Sequence, residues 1–473
     1  MSLTQIIVFA LISLILALVN KGNLRVTLML TLSVLAVFWL QPSLPIRNLG
    51  YWLSIATLTL TVLSWVIVVS GIDQTLKENW QTFAILLTIS IAIGLTRFFP
   101  IDAFNFISRP PQISQIIFTL FLVSLVTLLV NKFWRPYLMT GMIVLIIVIL
   151  VIIKTPYLSQ TVSEFLRYLN GQSLVTATTV DFRWIGFSYI AFRLIHTIRD
   201  RQAGRLPSVS LAEYVTYVVF FPSLTAGPID RIERFIGDLR RPFMMGSTDW
   251  LNAGQRFFIG LFKKFVIADS LALIAFNGTN ALQVRSAAYA WVLLYAFAFQ
   301  IYFDFSGYTD IVIGLALLLG INLPENFNSP YLKSNLTLFW NNWHMTLTQW
   351  FRSYYFNPLT RWLRGLAHPL PIPLMIFITQ VSTMVLIGLW HGITINFILW
   401  GLWQGLGLFF HNRWSDFIKP HGDIFSKSRT RARLTKATGI IITFNYVSLG
   451  WVFFALPTPY LSYNYFLKLF GIN

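Results

Sequence analysis

The chain alternates between long apolar segments without charge and short connectors rich in polar residues. In the first third, after an uncharged opening stretch, segments of span length lie near residues 26–42, 50–70, 80–96, 113–131 and 136–153. A helix of about 20 apolar residues is long enough to cross the hydrocarbon core of a bilayer. The pattern therefore predicts a scaffold of membrane-spanning helices over residues 1–154.

The polar pattern changes after residue 154, and we expect residues 155–473 to form a second region. Charges interrupt the apolar runs there as far as residue 365, so segments such as 214–224 are too short for a simple span. Such segments are typical of re-entrant or interfacial helices, because irregular backbone at membrane depth needs protein or a water-filled cavity around it. This part of the chain is where we expect a polar cavity.

The last quarter of the chain returns to long apolar segments. Residues 365–412 contain no Asp, Glu, Lys or Arg, which is enough for two crossings, and a final span lies near 438–456. The basic loop 413–436 between them is predicted to be cytoplasmic, because positively charged loops stay inside. Altogether the pattern predicts an all-α, polytopic membrane protein with about ten to thirteen spans.

Composition agrees with this class and narrows the partners. Hydrophobic residues make up 56% of the chain and charged residues 11%, against roughly 25% charged residues in soluble domains. The formal net charge of +18 fits a positive-inside bias and membrane lipids as partners, and we expect no nucleic acid. The chain has no Cys and its six His form no short metal-ligand pair. We therefore expect neither disulfides nor a metal site.

His391 is the clearest candidate for chemistry, because it lies deep in the charge-free stretch 365–412. Ionisable residues within apolar segments are costly and are usually functional. An imidazole can accept a proton at neutral pH, and the neighbouring Gly388 and Gly392 would let a backbone or a substrate approach closely. The alternative is a His satisfied by one hydrogen bond between helices.

His344 lies in the segment 338–352, which we interpret as one amphipathic helix. At about 100° per residue, His344 falls on the apolar arc that includes Trp340, Trp343 and Leu347. The side chain is therefore predicted to point into the protein. A His on such a face is either a satisfied core residue or a partner in a buried site, and the pattern does not choose between them.

Asp304 and Asp310 lie in an aromatic, apolar setting within residues 301–310. Two nearby carboxylates can perform acid–base chemistry. The alternative, which the residues favour, is that each carboxylate pairs with an Arg or a backbone N–H and stabilises a helix break.

These segments together resemble the membrane-bound O-acyltransferase family, and most closely its bacterial branch, which includes teichoic-acid D-alanyl transfer and alginate O-acetylation. The segments that carry the resemblance are 302–310, 324–331, 339–345, 350–352 and 388–392, with 186–189 and 220–231 upstream. The resemblance covers about residues 183–412. The region 1–154 matches only in its hydrophobic character.

The resemblance implies a ring of helices around a central tunnel, where an outer funnel and an inner cavity meet at a catalytic His. It implies that His391 is the general base and that His344 orients the acceptor or stabilises the developing oxyanion. It also implies substrate-binding or supporting positions, which are Asn341, Asp304, Asp310, Trp343 and Trp390.

The same resemblance implies transfer of an acetyl or D-alanyl group to an extracytoplasmic glycan or teichoic-type polymer, at the cytoplasmic membrane of a bacterium. The donor would be acetyl-CoA or an acyl-phosphopantetheine carrier protein on the cytoplasmic side, with no tightly bound cofactor. A single-span or periplasmic acyltransferase is the expected partner. The residues themselves leave a second possibility open, which is a transporter or flippase for an envelope precursor.

Overall fold

A computed structural model describes residues 1–19, 24–69, 78–99, 110–130, 135–242, 245–418 and 429–472. These residues are predominantly helical and contain no β-strand, apart from a single antiparallel bridge between Phe327 and Trp343. The predicted all-α class is therefore confirmed. By its internal contacts, the chain divides into two compact units.

The first unit comprises residues 1–255 and 312–323. Its helices up to residue 169 are α1 (Leu3–Val19), α2 (Leu24–Trp39), α3 (Leu49–Val69), α4 (Trp80–Leu95), α5 (Ile113–Val130), α6 (Arg135–Lys154) and α7 (Pro156–Leu169). The remaining helices are α8 (Phe187–Gln202), α9 (Leu211–Val218), α10 (Ile232–Arg240) and most of α11 (Ser247–Leu261). Short 3₁₀ turns cover Thr96–Phe98 and Phe221–Ser223.

The second unit comprises residues 256–311 and 324–473. After a π-helical segment (Phe262–Ala268), its helices are α12 (Asp269–Ala272), α13 (Asn280–Gln283), most of α14 (Ala287–Leu318), α15 (Leu336–Trp340), α16 (Met345–Phe351), α17 (Asn357–Arg364), α18 (Ile372–His391), α19 (Ile395–Ile418), α20 (Arg429–Ala455) and α21 (Pro459–Leu469). A 3₁₀ turn covers Pro330–Leu332, and a second π-helical segment covers Arg352–Phe356.

Seven helices of the described residues are long and apolar enough to cross a membrane: Leu49–Val69, Trp80–Phe98, Ile113–Val130, Pro136–Lys154, Ala287–Leu318, Ile372–His391 and Arg429–Ala455. α1 and α2 are shorter apolar helices. The apolar segments predicted in the first third therefore correspond to helices α2 to α6. The total of about ten to thirteen spans, like the ring around a tunnel, stays a prediction.

Residues 214–224, which the sequence indicates are too short for a simple span, do not form one continuous helix. α9 ends at Val218, and the buried Arg193 donates hydrogen bonds to the Val218 carbonyl (2.8 Å), the Ser223 carbonyl (2.8 Å) and the Ser223 hydroxyl (2.7 Å). The guanidinium thus satisfies the Val218 carbonyl, for which Pro222, four residues farther on, has no N–H to donate. The break in the helix is held by this buried side chain.

The basic loop 413–436 is described only at its two ends. Its central residues 419–428 lie outside the described residues, α19 runs to Ile418, and α20 begins at Arg429. The basic residues at the start of α20 are exposed.

Helices α18 and α19 pack closely because glycine lies at their contact. A Cβ atom at Gly401 would lie 2.6 Å from Cα of Val385, and one at Gly405 would lie 2.8 Å from Cα of Val381. Small residues four apart allow two membrane helices to bring their backbones together. This helix pair carries His391 at the end of its first member.

Candidate active site

His391 is the last residue of α18 and is half-buried in a group of aromatic rings. Its ring centroid lies 4.7 Å from that of Trp390, 4.8 Å from Phe454, 5.8 Å from Trp400 and 5.9 Å from Phe397. These neighbours come from α18, α19 and α20. The imidazole therefore lies in an apolar site formed by three helices of the second unit.

The two glycines next to His391 permit a close approach of the chain, as the sequence predicts. A Cβ atom at Gly388 would lie 2.2 Å from the carbonyl oxygen of Phe397, and one at Gly392 would lie 2.7 Å from the Phe397 ring. Neither position has room for a side chain. Phe397 is the residue that approaches: its backbone carbonyl lies against Gly388, and its ring lies against Gly392 and the imidazole.

His344 does not lie in a continuous helix, so the interpretation of 338–352 as one helix is wrong. α15 ends at Trp340, α16 begins at Met345, and His344 has a left-handed backbone with φ of 42°. The intervening backbone pairs elsewhere: the Asn328 N–H donates to the Asn342 carbonyl (3.1 Å), and the Met345 N–H donates to the Asn326 carbonyl (3.0 Å). This pairing replaces the hydrogen bonds that would continue a helix.

His344 is nevertheless buried, as predicted, with 3% of its surface exposed. Its ring contacts Phe305 edge-on at 4.7 Å, and its Nε2 atom has no hydrogen-bond partner among the described residues. Burial lowers the pKa of His344 to about 3. The imidazole is therefore neutral at physiological pH, and its Nε2 atom can form one hydrogen bond with a substrate.

Trp390 joins the two histidines into one site. Its ring centroid lies 4.7 Å from that of His391 and 6.2 Å from that of His344. The two imidazoles can therefore be no farther apart than the sum of these distances. Trp343 is also buried, and its ring packs 5.2 Å from that of Trp451.

The carboxylates Asp304 and Asp310 are paired with cations. Asp310 accepts hydrogen bonds from Arg256 (2.7 Å) and Lys263 (2.6 Å), and Asp304 pairs with Lys264. Pairing is the alternative that the residues favoured. The expected helix break is wrong, because α14 continues from Ala287 to Leu318 through both carboxylates.

Asn341 lies at the exposed turn that follows α15. Its side-chain oxygen accepts a hydrogen bond of 2.7 Å from Arg352. Like the two carboxylates, Asn341 is thus engaged with a cation. Of the seven positions implied by the resemblance, the structure brings His391, His344 and Trp390 together most directly.

Comparison with known proteins places this arrangement in a family. The model of the membrane-bound O-acyltransferase family matches residues 106–463, which is more than half of the chain. The chain belongs to this family. The match is wider than the 183–412 covered by the sequence resemblance.

Three relatives illustrate the range of proteins within the membrane-bound O-acyltransferase family that the chain resembles. The chain is 35% identical to the probable alginate O-acetylase of Pseudomonas fluorescens over 293 residues, or 61% of this chain and 54% of the relative. It is 29% identical to the teichoic acid D-alanyltransferase of Bacillus subtilis over 275 residues (58% and 68%). It is 35% identical to the peptidoglycan O-acetyltransferase of Helicobacter pylori over 267 residues (55% and 47%).

The match covers only part of the length of each relative. The matched part of this chain spans about half the length of the alginate O-acetylases. The family model shows that the chain belongs to the family. Together with the apolar helices described above, it indicates a multi-pass membrane protein.

A second group of ionisable side chains, which the sequence pattern did not indicate, lies in the first unit. Ligand-type atoms of His196, Asp200 and Glu233 all lie within 4.8 Å of one another. His196 and Asp200 are four residues apart on α8, which places them on one helix face. Nδ1 of His196 faces Asp200 at 3.5 Å, its Nε2 accepts the Ile232 N–H, and Arg205 pairs with Asp200 at 2.7 Å. These contacts fix the positions of the His196 and Asp200 side chains.

We expect acidification to destabilise the protein through His196. Burial is the main cause that lowers the pKa of His196 to about 4, with Arg231 and Arg205 acting in the same direction and Asp200 opposing them. An unfolded His titrates near 6.5. Between about pH 6.5 and 4 His196 takes up a proton in the unfolded chain but stays neutral in the folded chain. The free energy of unfolding therefore falls as pH falls.

Melting temperatures in detergent between pH 7 and pH 5 test this expectation. His196→Asn keeps a polar side chain without the titration, and we expect its melting temperature to fall less over this range than that of the unmodified protein. Equal pH dependence of the two proteins would rule out His196 as a contributor.

Proposed function

We propose that the protein is a membrane O-acyltransferase that moves a small acyl group, acetyl or D-alanyl, from a thioester donor to hydroxyls of an envelope polymer. The observation that carries the proposal is the pair of imidazoles, His391 and His344, which share Trp390 as a neighbour in an aromatic site. Membership of the acyltransferase family supports the same reaction class. His391 is half-buried, whereas His344 is buried.

His391 acts as the general base in this proposal. A sugar or polyol hydroxyl becomes an effective nucleophile when a base takes its proton during attack on the thioester carbonyl. The new C–O bond forms as the C–S bond breaks, and the proton held by His391 passes to the departing thiolate. The products are one ester and one free thiol, so atoms and charges balance without a further reactant.

The surroundings of His391 suit this reaction because they limit competing hydrolysis. The rings of Trp390, Phe397, Trp400 and Phe454 surround the imidazole. An apolar, enclosed site keeps water from the activated acyl group. Neutral His344 offers a hydrogen bond that orients the acceptor hydroxyl or stabilises the developing oxyanion.

In the proposed reaction the two substrates reach the protein from opposite sides of the membrane. The donor is a cytoplasmic thioester, acetyl-CoA or an acyl-phosphopantetheine carrier protein, and the acceptor is an extracytoplasmic glycan or teichoic-type polymer. The protein would lie in the cytoplasmic membrane of a bacterium, with a single-span or periplasmic acyltransferase as partner. The names of the relatives, which include an O-acetylase of alginate and a D-alanyltransferase of teichoic acid, support both acyl groups.

Purified protein in proteoliposomes tests the proposal against transport. With an acyl thioester on one side and a glycan or teichoic acid on the other, we expect free thiol and polymer ester to appear in equal amounts. A thiol reagent measures the first product and mass spectrometry measures the second. Movement of the polymer across the bilayer without thioester consumption would instead identify a transporter or flippase.

A further inference from the structure

One face of α19 carries polar groups into the interior of the second unit. Asn396, Trp400 and Gln404 are four residues apart, so they lie above one another on the same side of the helix. All three are buried, and Gln404 has no exposed surface. Each of them has at least one side-chain polar atom without a hydrogen-bond partner among the described residues.

Gln404 is the most unusual member of this face. Both its amide nitrogen and its amide oxygen are without a hydrogen-bond partner among the described residues. The amide nitrogen lies against α20, since a Cβ atom at Gly450 would lie 2.4 Å from it. Burying a polar group without a partner destabilises a fold, so such a group needs a reason.

The position of Gln404 relative to His391 suggests that reason. Trp400 lies beside His391, with ring centroids 5.8 Å apart. Gln404 is one helical turn farther along α19, a rise of about 6 Å. The helix continues from Gln404 towards Arg413 and the basic loop 413–436, which is the end predicted to be cytoplasmic. Gln404 therefore lies on the donor side of the general base.

We propose that Gln404 binds the amide of a pantetheine arm when the arm presents its thioester to His391. This inference rests on the proposed function. In a pantetheine thioester, two methylenes separate the sulfur from the nearest amide. That amide has one N–H donor and one carbonyl acceptor, which match the acceptor and donor of a free carboxamide.

This role explains why the Gln404 amide is buried between α19 and α20 without a hydrogen-bond partner among the described residues. A leucine of similar volume at position 404 would pack there without the cost of a buried polar group. The amide becomes useful only when a ligand supplies the missing hydrogen bonds. A hydroxyl-rich acceptor is the competing ligand, and the experiment distinguishes it from the donor.

The test compares two donors in the proteoliposome assay. One donor is the acyl thioester of pantetheine, and the other is the acyl thioester of hexanethiol, which has no amide; both carry the acyl group that the unmodified protein transfers. For Gln404→Leu we expect kcat/KM with the pantetheine donor to fall about tenfold, as expected for the loss of neutral hydrogen bonds. We expect no change with the hexanethiol donor, and a melting temperature equal to or above that of the unmodified protein.

A control variant makes the test decisive. Gln283→Leu makes the same chemical change at an exposed glutamine of α13 and should affect neither donor. Equal losses on both donors in Gln404→Leu, a raised KM for the acceptor alone, or no preference of the unmodified protein for the pantetheine donor would each overturn the subsite. Transfer from neither donor by the unmodified protein would instead count against the proposed function.

Discussion

Replacement of His391 by alanine should lower the rate of acyl transfer by about 10²- to 10⁴-fold, the contribution of a positioned general base. The imidazole lies at the end of α18 among aromatic rings and is half-buried, so its removal leaves a small gap in the site. We therefore expect the loss to fall on the chemical step. Single-turnover transfer from a labelled thioester, measured with purified protein in proteoliposomes, gives this rate.

Two variants control for effects on folding and on histidine content. His391→Gln retains a polar side chain of similar reach but cannot take a proton at neutral pH, so it should be as defective as His391→Ala. His411→Ala removes another histidine of the same unit, whose Nδ1 lies 3.2 Å from the Thr337 hydroxyl. Its transfer rate should match that of the unmodified protein. Full activity in His391→Gln would contradict a role in proton transfer.

Replacement of Gly388 by alanine should cause a large loss of stability. The added Cβ atom would lie 2.2 Å from the carbonyl oxygen of Phe397, and this oxygen belongs to the backbone of α19. Backbone cannot move aside as a flexible side chain can, so α18 and α19 must separate. Overpacking of this kind costs about 1–3 kcal/mol or more. The melting temperature of the protein in detergent measures the effect.

Gly254→Ala is the matched control, because a Cβ atom at Gly254 in α11 would meet no heavy atom of the described residues within 4 Å, apart from its own neighbours along the helix. Alanine is favoured over glycine within a helix by about 0.5–1 kcal/mol. The melting temperature of Gly254→Ala should therefore be unchanged or slightly higher. If Gly388→Ala behaved in the same way, the close packing at the end of α18 would be incorrect.

The membrane helices were predictable because their signal is local. Segments such as 113–131 and 136–153 are apolar for their whole length, and the corresponding helices α5 and α6 have nearly the same bounds. His391 is a candidate from the sequence for the same reason, since an ionisable residue stands out in a charge-free stretch.

Long-range pairing explains what the pattern missed. The break before His344 depends on backbone hydrogen bonds to residues 326–328, which a helical wheel over 338–352 does not include. The partners of Asp310, Arg256 and Lys263, lie 54 and 47 residues away along the chain. Gln404 is conspicuous only when the packing of α19 against α20 leaves its amide without a partner. These features are set by tertiary contacts rather than by local periodicity.

The ester content of the envelope polymer tests the central claim most directly. In cells that lack the gene, mass spectrometry of envelope glycans and teichoic acids should show a loss of ester-linked acetyl or D-alanyl groups. The unmodified gene should restore these esters, and His391→Ala, inserted in the membrane at the same level, should not. Normal ester content in cells that carry only His391→Ala would contradict acyl transfer by this histidine.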